Sequence, residues 1–272
     1  MENKLTVIIP CKNEEHNIRP CIESARAVAD EVIVADSGST DRTLDIVQQV
    51  GGCRVIQREY VRSANFKNWA IPQAAHPWVL ILDADERVSD ELADEVRAVL
   101  SGTLEFDGYR IRFQPYFLGC RIKHSGWNSS SGIRLFRRDV SRYADQHVHA
   151  DVEVSTGKVG RLRGKFLHFT CRSLSQFVEK QNRYASWSAE DMYAKGRRVG
   201  YLGLLLRPPA RFLQFYFLRG GFLDGRAGLA VCMTVAFYTF MKYTKLWELC
   251  AAGADAAPET EAGSSNEMKK AA

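Results

Sequence analysis

The sequence of 272 residues lacks the cysteine pattern of a disulfide-stabilised or zinc-binding domain. Its seven cysteines are odd in number and widely spaced, and no two of them form a Cys-x-x-Cys motif. This spacing argues against a disulfide scaffold or zinc finger and favours a reducing compartment, where thiols stay free. A strand-like segment, residues 5–10, follows almost directly on the first methionine, so we expect no signal peptide.

Glycine-rich nucleotide-binding motifs are also missing. The sequence contains neither Gly-x-Gly-x-x-Gly nor Gly-x-x-x-x-Gly-Lys-Ser/Thr, which disfavours a Rossmann dinucleotide site and a P-loop. A nucleotidyltransferase is disfavoured as well, because no glycine-rich basic loop stands near residue 10 to bind a triphosphate. Since no nucleic-acid-binding motif occurs, we expect no nucleic-acid partner.

Long apolar runs are absent too. The longest charge-free run after Arg226 covers residues 227–241, only 15 residues, whereas a spanning helix needs about 20. Arginines alternate with aromatic residues around this region: Arg207, Arg211, Arg219 and Arg226 with Phe212, Phe215, Tyr216, Phe217 and Phe222. Such a mixture is typical of a helix lying on an anionic membrane surface. The alternative is a helical lid whose arginines extend from the core to solvent.

The net charge of +5 conceals an uneven distribution. Residues 1–107 carry 11 basic and 19 acidic side chains, whereas residues 108–226 carry 22 basic and 8 acidic ones. A basic surface can bind nucleic acid, anionic lipid or a phosphorylated substrate. Because no nucleic-acid motif is present, the bias supports a phosphate-bearing acceptor or a membrane surface.

Strand and helix signals alternate through the first 113 residues. Strand-like segments occur at 5–10, 31–36, 53–56 and 78–82, and helical segments at 14–29, 43–50, 63–75 and 89–100. This alternation predicts an α/β fold with a mainly parallel sheet flanked by helices. Shorter β-like pieces follow from 106 to about 170, and a helix is predicted over 174–192.

Carboxylates stand where the predicted strands end. Asp36 closes the second strand, and Asp83-Ala-Asp85 follows the fourth. Ligands of parallel sheets bind outside the carboxyl ends of the strands. Two carboxylates one residue apart can share a hard cation such as Mg²⁺ or Mn²⁺. The alternatives are a solvated acidic turn at Asp83-Ala-Asp85 and an Asx-turn at Asp36.

Three of these segments together carry a family resemblance. Val7-Ile-Ile-Pro-Cys-Lys-Asn-Glu14, Val34-Ala-Asp-Ser-Gly-Ser-Thr-Asp41 and Leu80-Ile-Leu-Asp-Ala-Asp-Glu86 resemble the family-2 glycosyltransferases of the GT-A fold. Further segments resemble the bacterial subgroup with lipopolysaccharide-core β-1,4-glucosyltransferases. They are Arg134-Leu-Phe-Arg-Arg138, Val148-His149, Leu167-His168, Lys180-Gln-Asn-Arg-Tyr184 and Gly221-Phe-Leu-Asp-Gly225.

The resemblance implies a UDP-sugar as donor substrate, Mg²⁺ or Mn²⁺ as cofactor, and transfer with inversion at the anomeric carbon. The residues it implies for donor and metal are Pro10, Glu14 and Asp36 around the nucleoside, Lys67 at the diphosphate, Asp83 at ribose or metal, and Asp85 as main metal ligand. Lys67 could equally be a surface lysine of a helix. One of Arg134, Arg137 and Arg138 is expected to bind a phosphate, because guanidinium matches phosphate bidentately.

Inversion by single displacement needs a general base for the acceptor hydroxyl. Related sequences often read Val-His-Glu where this chain reads Val148-His-Ala-Asp151, so the carboxylate is displaced by one position. We expect Asp151, then Glu153, as the base, with His149 as a metal ligand or hydrogen-bond partner.

The predicted organisation has three parts. Residues 1–200 form the GT-A domain, with a nucleotide-sugar-binding half (1–107) and an acceptor half (108–200). Residues 201–250 form a helical, membrane-proximal extension, and 251–272 a disordered tail. We expect a cytoplasmic enzyme, peripheral on the inner face of the cytoplasmic membrane, that transfers a hexose to a lipopolysaccharide-core or other envelope glycan or glycolipid. The alternatives are a polyprenyl-phosphate sugar synthase and a catalytically lapsed nucleotide-sugar-binding protein.

Overall fold

A computed structural model describes residues 3–59, 63–144 and 151–255. Within these residues the chain forms eleven strands and seven α-helices. The strands are β1 (Leu5–Cys11), β2 (Glu31–Asp36), β3 (Arg54–Gln57), β4 (Trp78–Ile81), β5 (Glu86–Val88), β6 (Gly108–Phe117), β7 (Cys120–Arg121), β8 (Ser131–Arg137), β9 (Ser141–Tyr143), β10 (Val152–Val154) and β11 (Val159–Cys171). The helices are α1 (Ile18–Ala25), α2 (Thr43–Val50), α3 (Ser63–Ala70), α4 (Asp90–Ser101), α5 (Leu174–Ala194), α6 (Tyr201–Leu213) and α7 (Gly225–Asp255).

Nine strands form one sheet in the order β3-β2-β1-β4-β8-β6-β11-β5, with β7 paired to β6. The first four strands are parallel, and their register places Cys11 opposite Asp36 and Ile8 opposite Ile81. Beyond β4, only β6 and β11 pair in parallel, and the other pairings are antiparallel. The predicted α/β class is confirmed, and the continuous parallel part is the half formed by residues before 107.

The parallel half is apolar on both faces because helices cover both. Along β1, Val7 and Ile9 join the core that α1 and α4 cover, whereas Ile8 faces the core around Phe66 of α3. Strands buried on both sides require a continuous apolar sequence, which explains the run at the start of the chain. The polar residues are thereby confined to the strand ends.

The sheet must curl, because β4 and β5 are close in sequence and distant in strand order. Four strand spacings separate them, about 19 Å in a flat sheet. The five steps from Ile81 to Glu86 extend at most about 17 Å. The connection is also partly a turn, since the Glu86 N–H donates to the Asp83 carbonyl over 2.8 Å. The antiparallel half therefore folds back toward β4 and surrounds the Asp83-Ala-Asp85 turn.

The C-terminal region is helical, as predicted. Both α5 and α6 pack against α7. The hydroxyls of Ser188 on α5 and Tyr238 on α7 are hydrogen-bonded over 2.8 Å. A small core of Phe117, Phe177 and Val231 attaches these helices to the end of β6. Among the residues described, none of the helices combines the length and apolar character that crossing a bilayer requires.

Candidate active site

The end of β2 holds a fully buried carboxylate. Asp36 accepts hydrogen bonds from the backbone N–H groups of Gly38 (3.0 Å) and Ser39 (3.2 Å), and from the Gln57 amide (3.2 Å). Burial opposes ionisation, but these bonds and the Ser39 hydroxyl hold the pKa of Asp36 below its usual value. This is the Asx-turn that the sequence left open, and it fixes the loop at this strand end.

Beside it, β1 ends in a loop that carries a second carboxylate. The Glu14 N–H donates to the Thr43 hydroxyl over 2.8 Å, and the Glu14 carboxylate accepts from the Asn17 amide over 2.8 Å. Burial raises the pKa of Glu14, although the Asn17 hydrogen bond opposes the shift. Pro10 pairs with Ala35 of β2 in the sheet register. The structure thus brings Pro10, Glu14 and Asp36 to one edge of the sheet.

The Asp83 carboxylate, just beyond β4, lies between two cations. One oxygen is 2.8 Å from Lys67 Nζ, and the other is 3.0 Å from Arg134 Nη2. Burial disfavours the charge, yet Arg134 and Lys67 hold the pKa of Asp83 well below its usual range. Lys67 is therefore a buried ion-pair partner rather than a surface lysine of α3.

Arg134 reaches this carboxylate because it interrupts the pairing of β8 with β6. Tyr109 pairs with Leu135 and Arg110 with Ile133, so the register skips Arg134. A bulge of this kind redirects a side chain, and bulges are common beside active sites. The Arg134 guanidinium lies 5.2 Å from the centre of the Phe113 ring.

Glu86, the first residue of β5, completes the cluster. One of its oxygens lies 3.2 Å from Arg134 Nη2, and the other accepts the Asp83 N–H over 2.9 Å. Burial raises the pKa of Glu86 to about 7, with Arg134 acting in the opposite direction. The pairing of Glu86 with His168 on β11 positions it, which is a direct result of the sheet's curl.

Asp85 has its own pair of partners. Its Oδ2 is 3.4 Å from His168 Nε2 and 3.4 Å from Lys180 Nζ of α5. Despite burial, these neighbours hold the pKa of Asp85 well below its usual range. In turn Asp85 raises the pKa of His168 against the effect of its burial. Residues far apart in the sequence thus converge on the Asp83-Ala-Asp85 turn.

Two polar atoms beside this cluster are buried without a hydrogen-bond partner among the described residues. They are Arg134 Nη1 and the Tyr143 hydroxyl. Lys67 Nζ lies 5.3 Å from the centre of the Tyr143 ring and pairs with Asp83, as Arg134 does, so Tyr143 borders the same cluster. Buried polar groups of this kind are uncommon and costly, and a ligand is one way to satisfy them.

The donor set around Asp85 fits a divalent cation that also binds substrate phosphates. No group of three or more His, Cys, Asp or Glu side chains placed to share a metal occurs in the described ranges. Mg²⁺ commonly takes one or two protein ligands and completes its shell with phosphate oxygens and water. Asp85 can supply a carboxylate for such an ion, with the His168 imidazole 3.4 Å from its Oδ2, whereas both oxygens of Asp83 are already paired with cations.

The expected base region is only partly described. Asp151 forms an ion pair with Arg110 over 2.8 Å and accepts the Ile133 N–H over 3.3 Å. Gly132 separates Asp151 from Arg134: a Cβ on this glycine would lie 3.8 Å from Asp151 Oδ1 and 3.7 Å from Arg134 Nε. Glu153 is exposed on β10, opposite Arg142 of β9. His149 lies outside the described residues.

Arg137 and Arg138, the other two candidate phosphate ligands, have local structural partners. Arg137 pairs with Asp107 (3.3 Å) and Asp139 (2.6 Å). The Arg138 guanidinium donates to the Ala74 carbonyl. Of the three arginines, Arg134 is the one that lies against the Asp83 carboxylate.

A cationic strip continues from Asp151 across one face of the sheet. Arg110 and Arg112 of β6 pair in register with Arg161 and Lys165 of β11. The intervening residues, including Ile111 and Leu162, face the core, so these four cations share the opposite face. Like charges on neighbouring strands are destabilising. An anionic ligand would offset that cost.

Sequence analysis did not assign Glu86, Tyr143, His168 and Lys180 to the site. Three of them stand in segments already associated with the family: Glu86 follows Asp85, and His168 and Lys180 belong to quoted motifs. Tyr143 had no comparable signal. Only the folded chain places His168 and Lys180 within 3.4 Å of Asp85.

Comparisons with known proteins identify the family of this chain. The family model for glycosyl transferase family 2 matches residues 6–141. The lipopolysaccharide core biosynthesis glycosyltransferase LpsC of Rhizobium meliloti is 32% identical over 250 residues, which cover 90% of this chain and 92% of that protein. An uncharacterized glycosyltransferase of Rickettsia typhi is 30% identical over 256 residues, covering 90% of this chain and 87% of that one.

Among solved structures, Staphylococcus aureus TarS (residues 1–349) in complex with UDP is similar with a TM-score of 0.47 and 17% identity, covering 92% of each chain. The resemblance found in the motifs, and the GT-A fold that it implies, are confirmed by the family match and the LpsC relative. The chain belongs to glycosyl transferase family 2 and is a glycosyltransferase.

Proposed function

We propose that this enzyme transfers a hexose, with inversion, from a UDP-sugar to a lipopolysaccharide-core or related envelope glycolipid. The observation that carries the proposal is the half-buried cluster at the Asp83-Ala-Asp85 turn, where Lys67 and Arg134 pair with Asp83. Two cations beside a strand-end carboxylate suit a nucleotide diphosphate, because they can neutralise the charge of the leaving group. Pro10, Glu14 and Asp36 would hold the nucleoside, with Asp36 acting through the loop that it fixes.

The diphosphate would take up the hydrogen bonds that the cluster leaves unmade. Arg134 Nη1 and the Tyr143 hydroxyl are buried donors without partners among the described residues. Arg134 therefore keeps one free nitrogen for a phosphate oxygen while Nη2 stays on Asp83. Lys67 adds a second charge at the same place.

Asp85 and His168 would hold Mg²⁺ or Mn²⁺. When bound, the ion would supply Lewis-acid stabilisation of the diphosphate. Lys180 lies 3.4 Å from the same oxygen, Asp85 Oδ2, and with His168 favours the ionised carboxylate. Asp83 would contribute to donor binding through Lys67 and Arg134, which occupy both of its oxygens.

In the transfer step, the acceptor hydroxyl oxygen forms a bond to the anomeric carbon while the bond from that carbon to the diphosphate oxygen breaks. The hydroxyl proton passes to Asp151 in this proposal, and UDP leaves with the electron pair. Two observations support Asp151 as the base. It accepts the N–H of Ile133, the residue just before the β8 bulge, and its side chain is 49% exposed. Glu153 is the second candidate, and His149 keeps its predicted role beside the base.

A negatively charged acceptor is supported by the cationic strip of Arg110, Arg112, Arg161 and Lys165, which begins at the Asp151 ion pair. The LpsC relative is named for lipopolysaccharide core biosynthesis. We extend that acceptor class to this chain, together with action at the cytoplasmic face of the membrane. The division at residues 107 and 200 is kept as part of the proposal, although Arg134, His168 and Lys180 of the acceptor half also reach the donor site.

The second candidate function is a polyprenyl-phosphate sugar synthase, and the same strip favours it because its acceptor is also anionic. Purified enzyme given a UDP-sugar and either a truncated lipopolysaccharide or a polyprenyl phosphate distinguishes the two. Product on the truncated lipopolysaccharide alone supports the proposal, whereas product on the polyprenyl phosphate alone overturns its acceptor.

Calorimetric titration of UDP with and without Mn²⁺ tests the donor site. We expect binding that strengthens with Mn²⁺ in the wild type and loses that dependence in Asp85→Ala. Asp94→Ala, at a carboxylate whose side chain is 79% exposed on α4, is the matched control. Absence of UDP binding with and without metal would overturn the UDP assignment. Binding without hydrolysis of any UDP-sugar and without transfer would favour the lapsed alternative.

A further inference from the structure

The outer face of α6 is apolar, and no other part of the described chain covers it. Tyr201, Leu202 and Leu206 are 77%, 67% and 57% exposed, and Leu205 and Leu213 are exposed as well. These positions recur at helical spacing, so they form one side of the helix. A helix that turns such a side outward leaves apolar surface for another partner.

The apolar surface continues onto α7. Leu229, Met233, Phe237, Phe240 and Trp247 are all exposed and fall on one stripe of that helix. A groove lined by Pro208, Pro209 and Phe212 of α6 and by Met233, Phe237 and Phe240 of α7 joins the two helices. The two helices therefore present one continuous apolar surface, named here the α6–α7 surface.

The residues around this surface are basic. Between residues 192 and 223 the sequence contains six basic residues and no acidic ones. The arginines at 197, 198, 207, 211, 219 and 226 are all exposed. Asp224, which follows, accepts backbone hydrogen bonds from Lys123 (3.1 Å) and His124 (2.8 Å). The partner that matches this chemistry is apolar and bordered by negative charge.

We propose that the α6–α7 surface docks on an anionic lipid bilayer, with both helices in the plane of the membrane. An interfacial helix of this type buries its apolar side about 5–10 Å into the headgroup region. Nearby arginines then meet lipid phosphates, and Tyr201 and Trp247 suit the boundary between water and lipid. Contact between two copies of the surface is disfavoured, because it would bring the two basic borders together.

The docked surface is connected to the catalytic cluster through α5. This helix packs against α7 and carries Lys180, which pairs with Asp85. Docking uses none of the proposed donor or acceptor residues, so it stands or falls independently of sugar transfer. It adds a lipid partner to an enzyme whose proposed acceptor is itself a glycolipid.

Vesicle co-sedimentation of the full-length protein tests this inference without any sugar nucleotide. Vesicles of phosphatidylcholine alone are compared with vesicles holding an equal part of phosphatidylglycerol. We expect binding to the mixed vesicles, with at least about tenfold weaker binding to the neutral ones. The double variant Leu205→Glu/Leu206→Glu should reduce binding to mixed vesicles by at least about tenfold.

The matched control is Val55→Glu, because Val55 is 43% exposed on β3, in the parallel half of the sheet. This variant should bind mixed vesicles as the wild type does. Calorimetric UDP binding and thermal unfolding of each variant check that the fold is retained. Arg197→Gln/Arg198→Gln should weaken binding to mixed vesicles while leaving residual binding to neutral vesicles unchanged.

Three results would overturn the proposal. The first is wild-type protein that sediments with neither vesicle. The second is a folded Leu205→Glu/Leu206→Glu variant that binds as the wild type does. The third is light scattering that shows a wild-type dimer and a monomeric double variant with unchanged vesicle binding, which would assign the surface to a second copy of the chain.

Discussion

The parallel half of the sheet and the α6–α7 pair bury their apolar residues in opposite ways. In β1 and β4 nearly every side chain is buried, and charge is confined to the strand ends, where it is paired. In α6 and α7 the apolar stripes are exposed. The first region is complete within one chain, whereas the second is completed by a surface outside it in our proposal.

The two regions differ for a physical reason. A strand buried on both faces satisfies its own backbone through its neighbours, so helices of the same chain must cover it. A helix satisfies its backbone internally, and one of its faces can remain free for another partner. Each half of that contrast can be tested separately.

The largest expected effect is on catalysis at the ordered strand ends. Asp85→Asn removes one charge between His168 and Lys180, and we expect sugar transfer to fall about a thousandfold. Steady-state kinetics with varied Mn²⁺ measures this loss. Asp94→Asn should leave the rate unchanged, and an active Asp85→Asn enzyme would remove Asp85 from the site.

The next largest effect is expected on the free energy of unfolding, which a substitution in the sheet should lower more than one in the α6–α7 pair. Phe136 is fully buried in β8, and Phe136→Ala is expected to cost about 3 kcal/mol or more of unfolding free energy. Phe237, 49% exposed on α7, should cost less than about 1 kcal/mol in the same substitution. Urea unfolding of both variants gives the comparison. Equal losses would mean that the α6–α7 surface is packed in the free protein.

Within the acceptor region, the assignment of the base predicts a smaller effect. Asp151→Asn should lower the transfer rate about a hundredfold while UDP binding stays unchanged. Glu153→Gln should have little effect, because Glu153 lies exposed opposite Arg142. Single-turnover transfer beside UDP calorimetry separates chemistry from donor binding. The reverse result for the two variants would move the role of base to Glu153.

The smallest predicted effect belongs to the cationic strip. Arg161→Gln should raise the KM for an anionic acceptor about tenfold and leave the KM for the UDP-sugar unchanged. The control is Arg97→Gln on α4, whose guanidinium pairs with Asp94. An unchanged acceptor KM would mean that the strip does not bind the acceptor.

Much of the parallel half could be predicted from the sequence, because its signals are local. The apolar runs indicated the strands, and the helix predicted over 89–100 is present as α4, which the Ser89 hydroxyl caps by accepting the Leu92 N–H. The family motifs were sufficient to assign the fold and the enzyme class. Local patterns suffice where neighbouring strands follow one another along the chain.

The rest of the site depends on long-range pairing that no local pattern reports. His168 and Lys180 reach Asp85 only because the sheet curls and α5 returns over its edge. Simple alternation along β8 does not predict the direction of Arg134, because the pairing skips that residue. For residues 201–250 the sequence predicted a membrane-proximal helical extension and left a packed helical lid as the alternative, but it did not predict which side of α6 faces outward.

The bulge at Arg134 also determines which kinds of genetic change this enzyme tolerates. Side chains of β8 alternate between the two faces of the sheet, and the extra residue at position 134 shifts this alternation by one place along the sequence. Replacing Arg134 therefore removes one guanidinium and leaves the pairing register of β8 with β6 intact. Because the pairing already skips Arg134, deleting it would leave Ile133 opposite Arg110 and Leu135 opposite Tyr109, with these two side chains still on opposite faces of the sheet. Substitution and deletion at position 134 should consequently both remove the guanidinium without exchanging the faces of β8, whereas the loss or gain of one residue at a regularly paired position of β8 would exchange them.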